Sequence, residues 1–145
     1  MSEEQSGDEV RELTADESAE LEKLDDAIAK FEEQKRWSDM IRSILKKAEL
    51  LQAPAEKVEL FRQAGTLYLE RSSNQAEAIK CFEQLLDYDA QDVDAIERLK
   101  QMYEKRRDWE KLIRTMQREV DLLPEDDQLL RYSEMADLAT QRLRK

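Results

Sequence analysis

The stretch from Phe61 to Phe82, FRQAGTLYLERSSNQAEAIKCF, contains two amphipathic segments on either side of a polar break at residues 72–74. In the first segment Phe61, Ala64 and Tyr68 recur at steps of three and four residues, and the second segment keeps this spacing up to Phe82. Side chains with this spacing lie on one face of an α-helix. The stretch therefore predicts two helices joined by a short turn.

The same pattern returns in both directions along the chain. A shift of 72 residues places Phe31 on Tyr103 and Trp37 on Trp109, and the central stretch lies about halfway between, so the period is near 36 residues. Helical pairs that recur with such a period are typical of solenoids, because one pair cannot bury its apolar face without the next. A long coiled coil is not expected, since Pro54, residues 72–74 and Pro124 interrupt any heptad.

The repeating unit resembles the tetratricopeptide repeat (TPR), whose pattern is W-x₂-L-G-x₂-Y, then A-x₃-F, then P. The central copy reads Phe61-x₂-Ala64-Gly65-x₂-Tyr68, then Ala78-x₃-Phe82. The first copy reads Leu24-x₂-Ala27-Ile28-x₂-Phe31, then Met40-x₃-Ile44. The third reads Ile96-x₂-Leu99-Lys100-x₂-Tyr103, then Leu112-x₃-Met116 and Pro124. The resemblance covers about residues 20–145. The chain also resembles the degenerate repeats of long bacterial TPR scaffold proteins.

Three residues depart from the TPR pattern. Ile28 and Lys100 stand where TPR has a small glycine, and Ala90 stands where the central copy should close with proline. The central copy also has one extra residue between its two helices. The aromatic residues Phe31, Tyr68 and Tyr103 are expected to fill the space between the helices of each pair.

The fold that we predict is an all-α, right-handed helical-hairpin solenoid of about three TPR-like pairs plus one extra helix. An acidic disordered tail is expected at residues 1–13, before a capping box from Thr14 to Glu17. The pairs are expected at about 15–52, 54–89 and 92–124, and the lone helix at about 126–144. Helix starts are predicted at Pro54, near Ser73-Asn74, and after the capping residues Asp92 and Asp108.

The lone helix has more apolar residues than one contact with the preceding helix would bury. A terminal helix of a solenoid should have a polar outer face. We therefore expect helix 126–144 either to mediate self-association or to be followed by further repeats, with this chain as the N-terminal part of a longer repeat protein.

Composition excludes several classes of function. Two glycines and two prolines cannot supply the turns of a β-sandwich, a β-barrel or a Gly-rich nucleotide fold. Histidine, the commonest general base and metal ligand, is absent. The single cysteine, Cys81, excludes an internal disulfide framework and a cysteine-ligated zinc site. We expect a protein that is not an enzyme and has no catalytic residue, metal or cofactor.

Charge and hydropathy limit the partners. The net charge is −11, of which residues 1–35 contribute −9, so binding to nucleic acid is not expected. The N-terminus has neither the basic nor the apolar part of a signal peptide, and no apolar run approaches the ~20 residues that span a membrane. A cytoplasmic location without membrane insertion is expected.

Several residues have two interpretations. Trp37 and Trp109 are expected in the core at the turns, although they could be ligand anchors. Asp92, Asp94 and residues 125–127 are expected at helix N-termini rather than around a cation. Cys81 is expected to be an inert thiol. The basic cluster comprising Lys105, Arg106, Arg107, Lys111, Arg114 and Arg118 is expected to be a salt-bridged surface, and the alternative is a docking patch for an acidic partner.

The resemblance implies a binding groove, because the first helix of each TPR pair lines the concave side of the solenoid. The implied groove residues are Glu22, Asp25, Asp26 and Glu32; Glu59, Arg62, Thr66 and Leu69; and Asp94, Glu97, Arg98, Gln101 and Glu104. Eight are acids and two are bases. Groove Lys and Asn residues that clamp a C-terminal carboxylate in some TPR domains are missing.

The chain is thus predicted to be a non-catalytic adaptor or scaffold for protein–protein interaction, with a groove that binds a basic protein segment or peptide. The alternative is a purely structural repeat segment that spaces or oligomerises other modules of a larger chain.

Overall fold

A computed structural model describes residues 11–143, which form seven α-helices and no strand. The all-α prediction is therefore confirmed for this part of the chain. The helices are α1 (Ala15–Glu33), α2 (Trp37–Leu50), α3 (Pro54–Glu70), α4 (Gln75–Tyr88), α5 (Val93–Lys105), α6 (Trp109–Val120) and α7 (Glu125–Arg142).

Helix starts follow the capping residues in the sequence. The Thr14 hydroxyl accepts a hydrogen bond from the N–H of Glu17, and the Glu17 carboxylate accepts one from the N–H of Thr14, so the capping box is confirmed. Asn74, Asp92 and Asp108 each accept a backbone N–H three residues later. These bonds satisfy N–H groups that have no partner inside the helix.

The turns α1–α2, α3–α4 and α5–α6 share one backbone geometry. Each has a residue with positive φ two positions before the next helix, namely Lys35 (58°), Ser73 (48°) and Arg107 (59°). The following residue donates its N–H to a carbonyl oxygen at the end of the preceding helix, at 2.8–2.9 Å. The accepting carbonyls are those of Phe31, Tyr68 and Tyr103, the last aromatic position of each copy.

The central turn is one residue longer than the other two. Its hydrogen bond joins residues 74 and 68, whereas the bonds of the outer turns join 36 to 31 and 108 to 103. The extra residue expected between the helices of the central copy is thus confirmed, and the sequence repeat is also a repeat of backbone geometry.

Every extensive contact in the described part of the chain joins helices that are consecutive in sequence, and the largest is between α3 and α4. Within that contact the side chain of Phe82 is fully buried against Gly65. A Cβ atom at Gly65 would lie 2.7 Å from Cε2 of Phe82. The glycine of the TPR-like pattern therefore permits the close packing of these two helices.

The three aromatic residues of the repeat are not equally buried. Tyr103 is buried, as expected, whereas Phe31 and Tyr68 are only partly buried. Tyr68 lies in the last turn of α3 and faces a shallow cleft on α2 beside Arg42 and Leu45. The burial expected of these rings is thus found for Tyr103 but not for Tyr68, which lines this open cleft.

Both ends of the chain extend beyond the described residues. Of the predicted tail, residues 1–10 lie outside the described part, while Leu13 packs against the core and Arg11 forms an ion pair with Glu17 at 2.9 Å. Helix α7 begins at Glu125, one residue before the predicted start of the lone helix. No helix in residues 11–143 is long and apolar enough to cross a membrane.

Candidate interaction surface

The residues predicted to line a groove lie on α1, α3 and α5, and all of them are exposed or partly buried. The structure joins a member on α3 to one on α5 through the direct ion pair between Arg62 and Asp94. Among the described residues, no hydrogen bond or ion pair joins the members on α1 to those on α3 or α5.

Arg62 of α3 is the centre of an ion-pair cluster. Its guanidinium contacts the carboxylates of Asp92 at 2.6 Å, Asp94 at 2.7 Å and Glu59 at 3.4 Å. Asp94 is also 3.3 Å from Nε of Arg98. Hydrogen bonding to Arg62 lowers the pKa of Asp92 below its ordinary value and raises the pKa of Arg62.

This cluster limits which acids are available to a partner. Because the carboxylate of Asp94 is paired with two arginines, it is less available to an incoming cation than an unpaired acid. The same cluster holds Asp92 in place as the N-cap of α5, where its carboxylate accepts the N–H of Ala95 at 2.9 Å. The capping interpretation of Asp92 is confirmed.

Asp25 also differs from the simple groove prediction. Its carboxylate lies 2.6 Å from Nζ of Lys47 on α2, so it joins the two helices instead of being a free surface charge. The acids of the predicted groove that form no ion pair within residues 11–143 are Glu22, Asp26, Glu32 and Glu104. Three of these four lie on α1, and the free negative charge is therefore concentrated there.

Leu69, the one large apolar residue of the predicted set, is partly buried near the end of α3. It lines a shallow cleft together with the turn at 72–76 and with Lys105 and Arg106 at the end of α5. Thr66 lines a separate shallow depression on α3 with Glu59 and Arg62. Apolar and basic groups thus adjoin at this end of the surface, away from the paired acids.

The other residues singled out in the sequence have structural roles. Trp37 and Trp109 are partly buried, and the guanidinium groups of Arg71 and Arg142 lie 4.7 Å and 5.0 Å from the centres of their rings. Cys81 is buried, and burial raises the pKa of its thiol to about 12. A thiol with this pKa is protonated at neutral pH, which fits the inert interpretation.

The basic cluster is divided between the end of α5, where Lys105 and Arg106 lie, and the surface of α6. Lys111, Arg114 and Arg118 recur at helical spacing on α6 and line a cleft whose opposite wall carries Glu83 and Asp87 of α4. Nζ of Lys111 lies 4.0 Å from a carboxylate oxygen of Glu83. The two walls of this cleft thus have opposite charge.

One ion-pair cluster was not expected from the sequence. Lys100, at the position of the TPR glycine, places its Nζ 3.0 Å from both carboxylate oxygens of Glu119 on α6. Nε of Arg131 on α7 lies 3.0 Å from the same carboxylate. The available signal was a long charged side chain at a position that is glycine in the TPR pattern, because such a side chain must carry its charged end away from the close helix contact.

No model of a known protein family matches the chain, and no curated protein matches it in sequence.

Replacing Asp92 should separate its two roles. Asn caps a helix about as well as Asp but cannot pair with Arg62, so we expect Asp92→Asn to destabilise the fold by about 1–2 kcal/mol at neutral pH. Asp92→Ala loses the cap as well and should cost about 1 kcal/mol more. Urea unfolding measures both differences.

The pH dependence of the stability lost in Asp92→Asn tests whether the ion pair with Arg62 is its cause. Because the folded-state pKa of Asp92 is depressed, the ion pair stabilises the protein fully above the ordinary pKa of 3.8 and less as the pH falls through the folded-state pKa. The gap between wild type and Asp92→Asn should therefore close in acid. A gap that stays constant from neutral pH to strongly acidic pH would exclude the Arg62 pair as its origin.

Proposed function

We propose that this chain is a non-catalytic, TPR-like adaptor or scaffold that binds a basic segment of another protein, with the free acids of α1 as the main recognition surface. The seven helices are proposed to stack as helical hairpins in a right-handed solenoid, with α1, α3 and α5 along one side. The repeated turn geometry and the contacts between consecutive helices support this arrangement.

The observation that carries the proposal is the free charge on α1. Glu22, Asp26 and Glu32 are exposed, and none of them forms an ion pair within the described residues. Around a straight helix Glu22 and Asp26 are about 40° apart, and all three residues fall within an arc of about 120° on one side of α1. A row of uncompensated acids attracts a basic partner and raises its association rate.

The α3–α5 part of the surface contributes differently. Glu59, Asp92 and Asp94 are paired with Arg62 or Arg98, so an incoming lysine or arginine would compete with existing ion pairs there. Leu69 can instead provide an apolar contact. The preferred ligand is therefore an extended or helical segment that is basic where it meets α1 and apolar where it meets the end of α3.

Charge reversal on α1 tests the proposal, with a lysine-rich amphipathic peptide as the probe. Glu22→Lys with Asp26→Lys should weaken binding of this peptide about tenfold or more, because each reversal replaces an attraction of up to ~1 kcal/mol with a repulsion. The affinity of wild type should also fall with salt, since surface charges are screened over roughly 8 Å at physiological ionic strength. Asp25 is unsuitable for reversal because its loss would break the pair with Lys47.

The matched control is Glu49→Lys with Glu110→Lys. These two acids are exposed on α2 and α6, form no ion pair within the described residues and give the same change in net charge. The control should bind the peptide much as wild type does, apart from the general effect of net charge. Equal weakening in both variants would mean that the peptide responds to total charge and has no site on α1.

The structural alternative is a repeat segment that joins other modules without a groove ligand. The exposed apolar residues of α7 favour it, because they offer a surface for assembly. In that case reversal of the α1 acids would leave every interaction of the protein intact.

A further inference from the structure

Helix α7 carries three of the five large hydrophobic residues that are exposed in the described chain. Leu129 is 72% exposed and Tyr132 is 50% exposed, and Leu130 is also exposed. Leu129, Tyr132, Ala136, Ala139 and Leu143 recur at steps of three and four residues. We call this row the α7 seam, and it has the spacing with which one helix packs along another.

The position of α7 in the repeat explains why its seam is apolar. Arg142 of α7 lies over the ring of Trp109 on α6 as Arg71, the residue directly after α3, lies over the ring of Trp37 on α2. Helix α7 therefore packs on α6 much as α3 packs on α2, and it has the place of the first helix in a fourth pair.

The sequence gives the same register. A shift of about 36 residues places Tyr132, Met135, Ala136 and Ala139 on Ile96, Leu99, Lys100 and Tyr103. Ala136 thus has the position of Gly65, the small residue against which Phe82 of α4 is buried. In α3 and α5 the residues equivalent to Tyr132, namely Phe61 and Ile96, are buried, whereas Tyr132 is half exposed. Within residues 11–143 no second helix covers the α7 seam, whereas α4 and α6 pack against α3 and α5.

We propose that a second copy of this chain covers the α7 seam, with the two α7 helices packed antiparallel about a twofold axis. In that arrangement Leu129 lies opposite Ala139 of the second copy, and Tyr132 lies opposite Ala136 of the second copy. Leu129 and Tyr132 thus each meet a small side chain, and Tyr132 packs against a small residue as Phe82 packs against Gly65.

The antiparallel direction follows from size and charge. A parallel pair would place Leu129 on Leu129 and Tyr132 on Tyr132, and it would place alanine on alanine at positions 136 and 139, which leaves a gap there. It would also bring together the acids in the first turns of both copies, Glu125, Asp126 and Asp127. The antiparallel pair instead brings these acids near Arg142 in the last turn of the other helix.

This interface does not depend on the acids of α1. Since two helices of this length form a small interface, the dimer should be weak and should dissociate on dilution. For the self-association predicted for helix 126–144, the proposal thus specifies the direction of the two helices, their register and the residues in contact.

Analytical ultracentrifugation of the full chain tests the proposal. Wild type should change from monomer to dimer as its concentration rises from low micromolar toward millimolar. Leu129→Glu should abolish the dimer, and circular dichroism should show an unchanged fold because Leu129 is exposed. The matched control is Val93→Glu, since Val93 is 68% exposed on α5, and this variant should dimerise as wild type does. Glu22→Lys with Asp26→Lys should also leave the dimer unchanged, which separates this test from that of the groove.

Cysteine cross-linking tests the register. A disulfide should form when a Leu129→Cys chain is mixed with an Ala139→Cys chain, and much less in either chain by itself; the native Cys81 is buried and does not compete. A wild type that stays monomeric at every concentration would overturn the proposal and assign the seam to a helix from another protein or from further repeats. Dimerisation of Leu129→Glu, or preferential cross-linking of Leu129→Cys with itself, would overturn the antiparallel pairing.

Discussion

Truncation of Tyr103 to alanine is expected to lower the free energy of unfolding by about 3–5 kcal/mol, the scale for a large buried aromatic residue. The ring is buried, and its hydroxyl donates a hydrogen bond to the Glu83 carboxylate on α4. The ammonium group of Lys111 on α6 lies 5.9 Å from the ring centre. The side chain thus joins α5 to both neighbouring helices, and its loss should weaken protection from hydrogen exchange in α4 and α6 as well as in α5.

Two further variants separate the parts of this effect. Tyr103→Phe keeps the ring and loses only the hydrogen bond to Glu83, so it should cost about 1 kcal/mol. Tyr68→Ala changes the same position of the central copy, where the ring is partly exposed, and should cost clearly less than Tyr103→Ala. Urea unfolding of the three variants measures these costs. Equal losses from Tyr68→Ala and Tyr103→Ala would contradict the difference in their burial.

Phe82→Ala should be as damaging, with a loss of about 3–5 kcal/mol. Its side chain is fully buried in the most extensive helix contact of the chain. Gly65→Ala should cost about 1–3 kcal/mol, because the added Cβ would lie 2.7 Å from the Phe82 ring. This steric cost exceeds the gain in helix propensity from glycine to alanine.

A double-mutant cycle tests whether the ring causes the cost at Gly65. Leucine at position 82 has no atom in the place of the ring edge, so Gly65→Ala should cost less in a Phe82→Leu background than in wild type. The difference between the two costs is the coupling energy of the pair. Additive losses would mean that Gly65 is needed for a reason other than contact with Phe82.

Local features of this fold could be predicted from sequence because they depend on neighbouring residues. The capping residues Thr14, Asn74, Asp92 and Asp108 each act on a backbone group three residues away, and a short motif contains all that is needed. The period near 36 residues likewise predicts where helices begin and end.

Contacts between helices could not be predicted in the same way. The pairs Asp25–Lys47 and Arg62–Asp92 join residues 22 and 30 positions apart, and they form only because two helices cross at a particular angle and register. Sequence spacing assigns all of these charges to surfaces without showing which are paired. The acidic groove was therefore expected along three helices, whereas its free charge is concentrated on α1.

The difference between Tyr68 and Tyr103 has a similar origin. The two residues have the same place in the TPR-like pattern, yet only the turn after Tyr68 contains an extra residue and only Tyr103 is enclosed by its neighbours. A repeat motif predicts that an aromatic residue faces the next helix, but the degree of burial depends on how closely that helix packs.

Photocrosslinking from α1 tests the proposed recognition surface most directly. A photoreactive amino acid at Ala29, which is exposed between Asp26 and Glu32, should capture a protein from an extract of the source cells through a lysine- or arginine-rich segment. The same group at Gln117, exposed on α6, should not capture that protein, and Glu22→Lys with Asp26→Lys should abolish the cross-link from Ala29. Capture through an acidic segment, or a cross-link that survives the reversal of both acids, would contradict the account.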